Sequence, residues 1–225
     1  MKRLSYGFMA ALLTAVIGLL FLGNGITGWV MRAQEKPAKV SYAAIPGGEY
    51  KIDAAHSTIA FAVRHNEITW VSGRFKDFSG IIRYDADVTK SSVEFTAKVE
   101  SIDTGVTNRD NHLRTADFFE VAKYPDMTFK STRVERKARD RYVVHGDLTL
   151  KGVTKQVAIP FTIAGAIKDG RGNTRFGVEG TTTINRRDFG ITWGKALAAG
   201  GLDVGNEVTI NLHLEVMKPA PKPAA

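Results

Sequence analysis

The chain has no cysteine among its 225 residues, which removes disulfides, thiolate nucleophiles, zinc–thiolate sites and iron–sulfur clusters from consideration. No acidic residue appears before Glu35, and no segment repeats internally. The five histidines, His56, His65, His112, His145 and His213, lack the close spacing of a metal-ligand set, so nothing recommends a metal or other cofactor. The densest basic run, Arg133 to Arg141, is interrupted by Glu135 and Asp140 and reads as the polar tip of a β-hairpin. With no aromatic-basic stripe beside it, nucleic acid is not an expected partner.

One long apolar run does occur. Phe8 to Leu22 follows Lys2 and Arg3 and passes into a more broken stretch ending at Met31, the layout of a secretory signal. Met31-Arg32-Ala33 is a poor cleavage site, and Tyr6 to Met31 is long enough to cross a bilayer. Residues 1–33 are therefore read as a signal peptide cleaved near Ala33, favoured over a retained anchor, and the folded part is expected in the periplasm. Losing Lys2, Arg3 and Arg32 with no acid takes the formal charge from +8 to +5. That modest excess leaves a weak contact with anionic lipid head groups open.

Residues 34–48, with Pro37, Pro46, Gly47 and Gly48, read as a linker, and 218–225 as a disordered Pro/Ala tail. The domain between them, 49–217, is dominated by period two. Val93, Phe95, Ala97 and Val99 alternate with polar residues, as do Val208, Ile210, Leu212, Leu214 and Val216. Similar patterns run through 58–65, 71–84, 127–136, 142–151, 157–167 and 175–184, with turn chemistry at 138–140 and 168–173. Eight or so strands at hairpin spacing argue for an all-β fold, an antiparallel sheet closed into a barrel without exposed edges. A two-layer sandwich is the main rival. An outer-membrane barrel is a weaker one, because these strands carry charge on one face and bulky aromatics on the other.

A single segment breaks the alternation. In Thr107 to Arg133, Thr107 and Asp110 have capping-box spacing, and Leu113, Ala116 and Phe119 recur at about one helical turn before Pro125 ends any helix. It reads either as a connector whose Phe118 and Phe119 plug the core or as a lid over a cavity. An eight-stranded interior is filled by its own side chains or is just wide enough for one slender ligand. Phe61, Phe75, Phe95, Phe129, Leu148, Phe161, Phe176 and Leu212 suit either case.

Five stretches are more specific: IDAAHSTIAFAVRH at 52–65, GRFKDFSGIIRYD at 73–85, RDNHLRTADFFEVAKYPDMTFKS at 109–131, GDLTLKGVTKQV at 146–157, and NRRDFGI at 185–191 followed by AAGGLDVGNEVTI. In this order they resemble the YceI-like family of exported polyisoprenoid-binding proteins, from about Glu49 to Met217. The resemblance implies an extended lipocalin-like barrel whose hydrophobic tunnel holds an isoprenoid lipid, such as a quinone or a similar amphiphile, and it also implies a homodimer. It brings no catalytic residues.

Alternation and aromatic position together assign the tunnel wall to Phe61, Phe75, Phe95, Leu113, Phe118, Phe119, Phe129, Leu148, Phe161, Phe176, Phe189 and Trp193. His112, Arg114 and Asp188 are the candidates to orient a head group. Arg186, Arg187 and Asp188 read equally well as a salt-bridged corner closing the barrel. Asp53, His56 and Ser57 fail as a hydrolytic triad, because strand neighbours face opposite ways and no nucleophile elbow surrounds the serine. Binding, transport or storage of lipid is thus the leading reading. An enzyme acting on a lipid-like substrate and a packed, ligand-free barrel are the alternatives.

Overall fold

A computed structural model describes residues 42–221. Expectations for the N-terminal 33 residues lie outside that range. Among the described residues no helix is long and apolar enough to cross a membrane.

Twelve strands and one short helix follow in order: β1 (Gly48–Ile52), β2 (Thr58–His65), β3 (Thr69–Phe75), β4 (Phe78–Tyr84), β5 (Ser92–Lys98), β6 (Ile102–Asp103), α1 (Thr107–Leu113), β7 (Asp126–Ala138), β8 (Arg141–Leu150), β9 (Val153–Ile163), β10 (Ile167–Lys168), β11 (Thr174–Asn185) and β12 (Val204–Lys218). Eight of them form a closed antiparallel ring, β1-β4-β5-β7-β8-β9-β11-β12, which returns to β1 through Lys51↔Met217 and Ile52↔Val216. Closure leaves no place for a two-layer sandwich.

The ring has a second storey on one side. A 3-10 turn at Ala54–His56 interrupts the chain after β1, so β12 pairs with β1 near its end and with β2 along Val208↔Val63 to His213↔Thr58. β3 and β6 then extend the wall beyond β2. On the β12 side the ladder to β11 runs unbroken from Thr174↔Lys218 to Asn185↔Glu207.

The apolar pattern at 71–84 is two strands, not one. Val71, Gly73 and Phe75 face inward on odd numbers, whereas Phe78, Gly80 and Ile82 do so on even numbers; the phase slips at Lys76-Asp77. There both backbone N–H groups donate to Ser101 Oγ, at 3.1 and 3.0 Å. β8 and β9 join at a two-residue turn, Lys151 (φ 49°) and Gly152 (φ 74°), the left-handed pair that matches strand twist in a tight hairpin. The loop expected at 168–173 is an Asp169 turn, whose Oδ1 accepts from Arg171 N and Asn173 N.

The capping box does not form. Thr107 is already the first helical residue, Val106 stands at the cap without a side-chain bond, and buried Asp110 instead accepts from Thr104 N and Oγ1. The helix also ends at Leu113, far short of Pro125, and the rest of the insertion is a series of turns. At the C-terminal end the tail expected from residue 218 begins as ordered chain. β12 includes Lys218, whose Nζ donates to Gly47 O, and Ala220 N donates to Asn173 Oδ1.

Candidate functional site

Inward-facing side chains of the ring do not meet at the axis along its whole length. Two chambers remain, an inner one of about 150 Å³ and an outer one of about 530 Å³. Ile59, Met127, Ile184 and Ile210 belong to the walls of both and form a waist between them.

The inner chamber lies inside the closed ring. Phe95, Phe129, Leu148, Phe161 and Phe176 all stand on its wall. No charged residue joins them, and the polar contributors are limited to Tyr84, Ser91, Ser92 and Thr182. Burial and the neighbouring Tyr142 phenol push the Tyr84 hydroxyl above its ordinary range, so it stays neutral. An apolar cavity of this size excludes water and accepts hydrocarbon.

The outer chamber is built by β2, β3 and β12 on one side and by the α1 insertion and the segment after β11 on the other. Phe61, Phe75, Leu113, Phe118, Phe119 and Trp193 line it. His65, Val106 and Asn108 are wall residues that are also exposed, and they mark where this chamber reaches solvent.

Over its outer end lies an aromatic cluster. Phe118 and Trp193 have ring centroids 5.1 Å apart, and His112 meets each edge-on at 5.1 Å. Phe118 is only 7% exposed, and Phe119 packs edge-on against Phe75 at 6.2 Å.

Eleven of the twelve residues expected along the tunnel thus stand on one of the two walls. Phe189 does not; it is 2% exposed and belongs to the packed core. Of the head-group candidates, His112 lines the outer chamber, with Nε2 2.9 Å from Asp117 Oδ2. Arg114 does not, since its guanidinium donates to Glu100 O, Ile102 O and Asn111 Oδ1. Asp188 is exposed and on neither wall.

The reason lies in the 3-10 turn Arg186–Phe189. At three residues per turn, Arg186 and Phe189 share the inner side while Arg187 and Asp188 face out. Arg186, weighed with its neighbours as a corner or a head-group contact, is 4% exposed and lines the outer chamber. It makes no salt bridge in this corner. Nε donates to Gly205 O, Nη1 to Ile191 O and Nη2 to Val204 O, at 2.8 to 2.9 Å. Gly194, at φ 129°, sits against this corner, where a Cβ would lie 2.9 Å from Asp203 Oδ1 and 3.2 Å from Arg186 Nη2. Burial, with Arg187 nearby, pulls the Arg186 pKa down.

Asp53, His56 and Ser57 are not a catalytic set. Ser57 Oγ donates to Glu215 O and accepts from Glu215 N, while His56 Nδ1 faces Asp53 Oδ2 at 3.0 Å. Asp53, His56 and Glu215 do lie close enough to chelate an ion. However, Arg175 Nη1 sits between the two carboxylates, 2.6 Å from Asp53 and 2.5 Å from Glu215, and serves as their counterion.

Residues 50–216 match the profile of the YceI-like domain. A UPF0312 protein of Shewanella baltica (strain OS185) is 43% identical over 151 residues, covering 66% of this chain and 79% of its own. Among solved structures, BcnA of Burkholderia cenocepacia superposes with a TM-score of 0.62 at 28% identity, covering 73% of this chain and 98% of its own. A polyisoprenoid binding domain from Saccharophagus degradans, implicated in plant cell wall breakdown, has the same fold at a TM-score of 0.55 and 20% identity, over 76% and 98% of the two chains. Profile, identity and barrel agree, and the chain belongs to the YceI-like domain family.

Proposed function

We propose that this protein binds a polyisoprenoid lipid, an isoprenoid quinone or similar amphiphile, and carries or stores it in the periplasm without altering it. The observation that carries this reading is the pair of chambers joined at an all-aliphatic-and-methionine waist, the inner one bearing no charge. The outer chamber alone is within the size range of small-molecule sites. The Saccharophagus domain of the same fold binds polyisoprenoid, which supports the ligand class. The export layout of residues 1–33 supports the compartment.

At about 0.8 kcal/mol per buried methylene, each five-carbon unit contributes at most about 3 to 4 kcal/mol. Three or four units exceed the several kcal/mol that association costs, so the tail alone suffices for affinity. No cofactor takes part. The inner wall has no group able to move a proton near neutral pH, whereas the outer wall carries His65 and His112, so carrier and enzyme separate on whether the bound lipid is altered.

Trp193 on the outer wall gives a direct readout. Titration with prenyl lipids should change its emission saturably, the change should vanish in Trp193→Phe, and the extracted lipid should keep its mass. No saturable response to any prenyl lipid would defeat the binding reading; a mass change on recovery would convert it to an enzyme.

A further inference from the structure

β12 runs the length of the wall, from Val204 opposite His65 to Lys218 opposite Thr174. At the His65 end three large apolar side chains stand in water: Ile68 is 80% exposed, Trp70 52% and Val106 47%. The other two exposed large apolar residues among those described, Tyr42 and Ile167, flank the Ala43↔Ala166 bridge at the opposite end. Exposed apolar residues scattered singly need no explanation, but several gathered at one end of a molecule mark a contact surface.

The fold holds these side chains out. Asn66 and Glu67, at φ 51° and 58°, make the β2–β3 turn with Ile68, whose N–H donates to His65 O at 3.1 Å. The turn is tied to the loop before β12, since Asn66 N donates to Asp203 O at 2.8 Å and Leu202 N to Glu67 Oε1 at 3.1 Å. That loop adds Ala196, Ala198, Ala199, Gly200 and Gly201 to the surface, all exposed and uncharged.

Charge at this end is arranged to one effect. Glu67 and Asp203 each spend an oxygen on backbone N–H groups, of Leu202 and of Lys195 and Val204 respectively. Among the described residues Arg64 and Lys195, unlike Arg74, Arg83, Lys98 and Arg175, have no carboxylate within ion-pair distance. The Arg64 guanidinium lies over the Trp70 ring, 4.8 Å from its centroid. An exposed indole beside a free arginine suits a bilayer interface, where the ring sits at head-group level and the cation meets phosphate.

We propose that this end is a membrane-docking surface, with Ile68 and Trp70 entering the interface of an anionic phospholipid bilayer and Arg64 and Lys195 on its phosphates. A second copy of the chain fits less well, because a two-fold contact through this patch brings two sets of unpaired cations together. Docking uses the outer surface and goes beyond the lipid-binding reading without depending on it; Trp70 is on neither chamber wall.

The test reads Trp70 in the full-length protein, with Trp29→Phe and Trp193→Phe leaving it as the sole tryptophan. Vesicles of phosphatidylcholine brominated on the acyl chains are titrated with and without phosphatidylglycerol. Anionic vesicles should shift Trp70 emission to the blue and quench it saturably, at about ten-fold or more lower lipid than zwitterionic ones. Ile68→Asp should raise the lipid required at least about ten-fold with the melting temperature unchanged, since the position is 80% exposed. A companion protein that keeps only Trp193 reports lipid reaching the outer chamber.

Quenching of Trp193 without that of Trp70 means uptake without docking and overturns the proposal, as does quenching of Trp70 that Ile68→Asp leaves unchanged. A solution mass of twice the chain, with Trp70 already blue-shifted before lipid is added, assigns the surface to a second copy and also overturns it. Quenching of Trp70 alone supports docking and leaves lipid uptake unsupported.

Discussion

Arg175 shows how one residue can fix an end of the barrel. It contacts Asp53, Asp169 and Glu215 together, joining the start of the first turn, the loop before β11 and the end of β12. The Arg175 hydrogen bond, then that of His56, holds the Asp53 carboxyl down to about 2, and Arg175 likewise holds Asp169 below the usual carboxylate range. A depressed carboxylate pKa contributes stability that is present above the unfolded value near 4 and is lost as pH falls through the folded value. Melting temperature should therefore drop between about pH 4 and 2. Arg175→Met should lower the melting temperature at pH 7 by a few °C and show a flatter fall in that acid window. Equal acid slopes for the two proteins would remove the ion cluster as the cause.

Phe118 carries a second prediction at this scale. It lines the outer chamber at the edge of the buried core, 7% exposed and packed on Trp193 and His112. Phe118→Ala should destabilise by less than the roughly 3 to 5 kcal/mol of a packed phenylalanine while speeding lipid dissociation at least about ten-fold. Outright unfolding would show it to be a plug. Single residues were only partly legible in the sequence. Alternation identified the wall aromatics carried on strands, because period two alone determines which face a strand residue presents; Phe118, Phe119 and Trp193 lie outside the strands and were assigned by position. Alternation could not place Arg186, since the strand period had ended at Asn185 and a 3-10 turn of three residues governs the chain beyond it. The signal available was the spacing of Arg186 and Phe189, a charged residue and an aromatic one turn apart.

Strands were easier to read than the segments that interrupt them. The break between β3 and β4 was present in the sequence as a phase slip from odd to even apolar positions, and a count of apolar residues without their phase runs across it. The capping box was legible as spacing but not as structure. Asp110 has a better use, two bonds to Thr104 that tie the helix to the chain after β6, so the helix begins without a side-chain cap. β1 begins at Gly48, the last residue read as linker, and carries Tyr50, which is fully buried and whose hydroxyl donates to Pro46 O. The β8–β9 turn offers the element-level test. A Cβ on Gly152 would meet the Tyr124 ring at 2.4 Å, and φ 74° is costly for any branched residue. Gly152→Val should lower the melting temperature by more than about 5 °C, whereas Gly170→Val, with open space around it, should change it by less than about 2 °C. Similar shifts for both would mean that the turn does not set the register of this hairpin.

For the molecule as a whole, closure of the sheet followed from strand number and spacing, but the emptiness of its interior did not. Eight strands enclose a space that side chains can just fill. Here β2, β3 and β6 extend one wall beyond the ring, the insertion after α1 lines the opposite side, and an open chamber remains between them. Those are consequences of pairing partners far apart in the chain, which no local pattern encodes. The division of labour between chambers likewise depends on the fold: charge gathers around the outer chamber and is excluded from the inner one only once β2, α1 and β12 come together. If the joined chambers hold the tail of a lipid, the protein should leave the cell with that lipid still in place. Native mass spectrometry of the full-length protein, purified from a host whose membranes contain isoprenoid lipids, reads this out. The expected spectrum contains a population heavier than the bare chain by the mass of one prenyl lipid, recoverable unchanged in organic extract. A single species at the mass of the ligand-free chain, persisting after incubation with excess prenyl lipid, would contradict it.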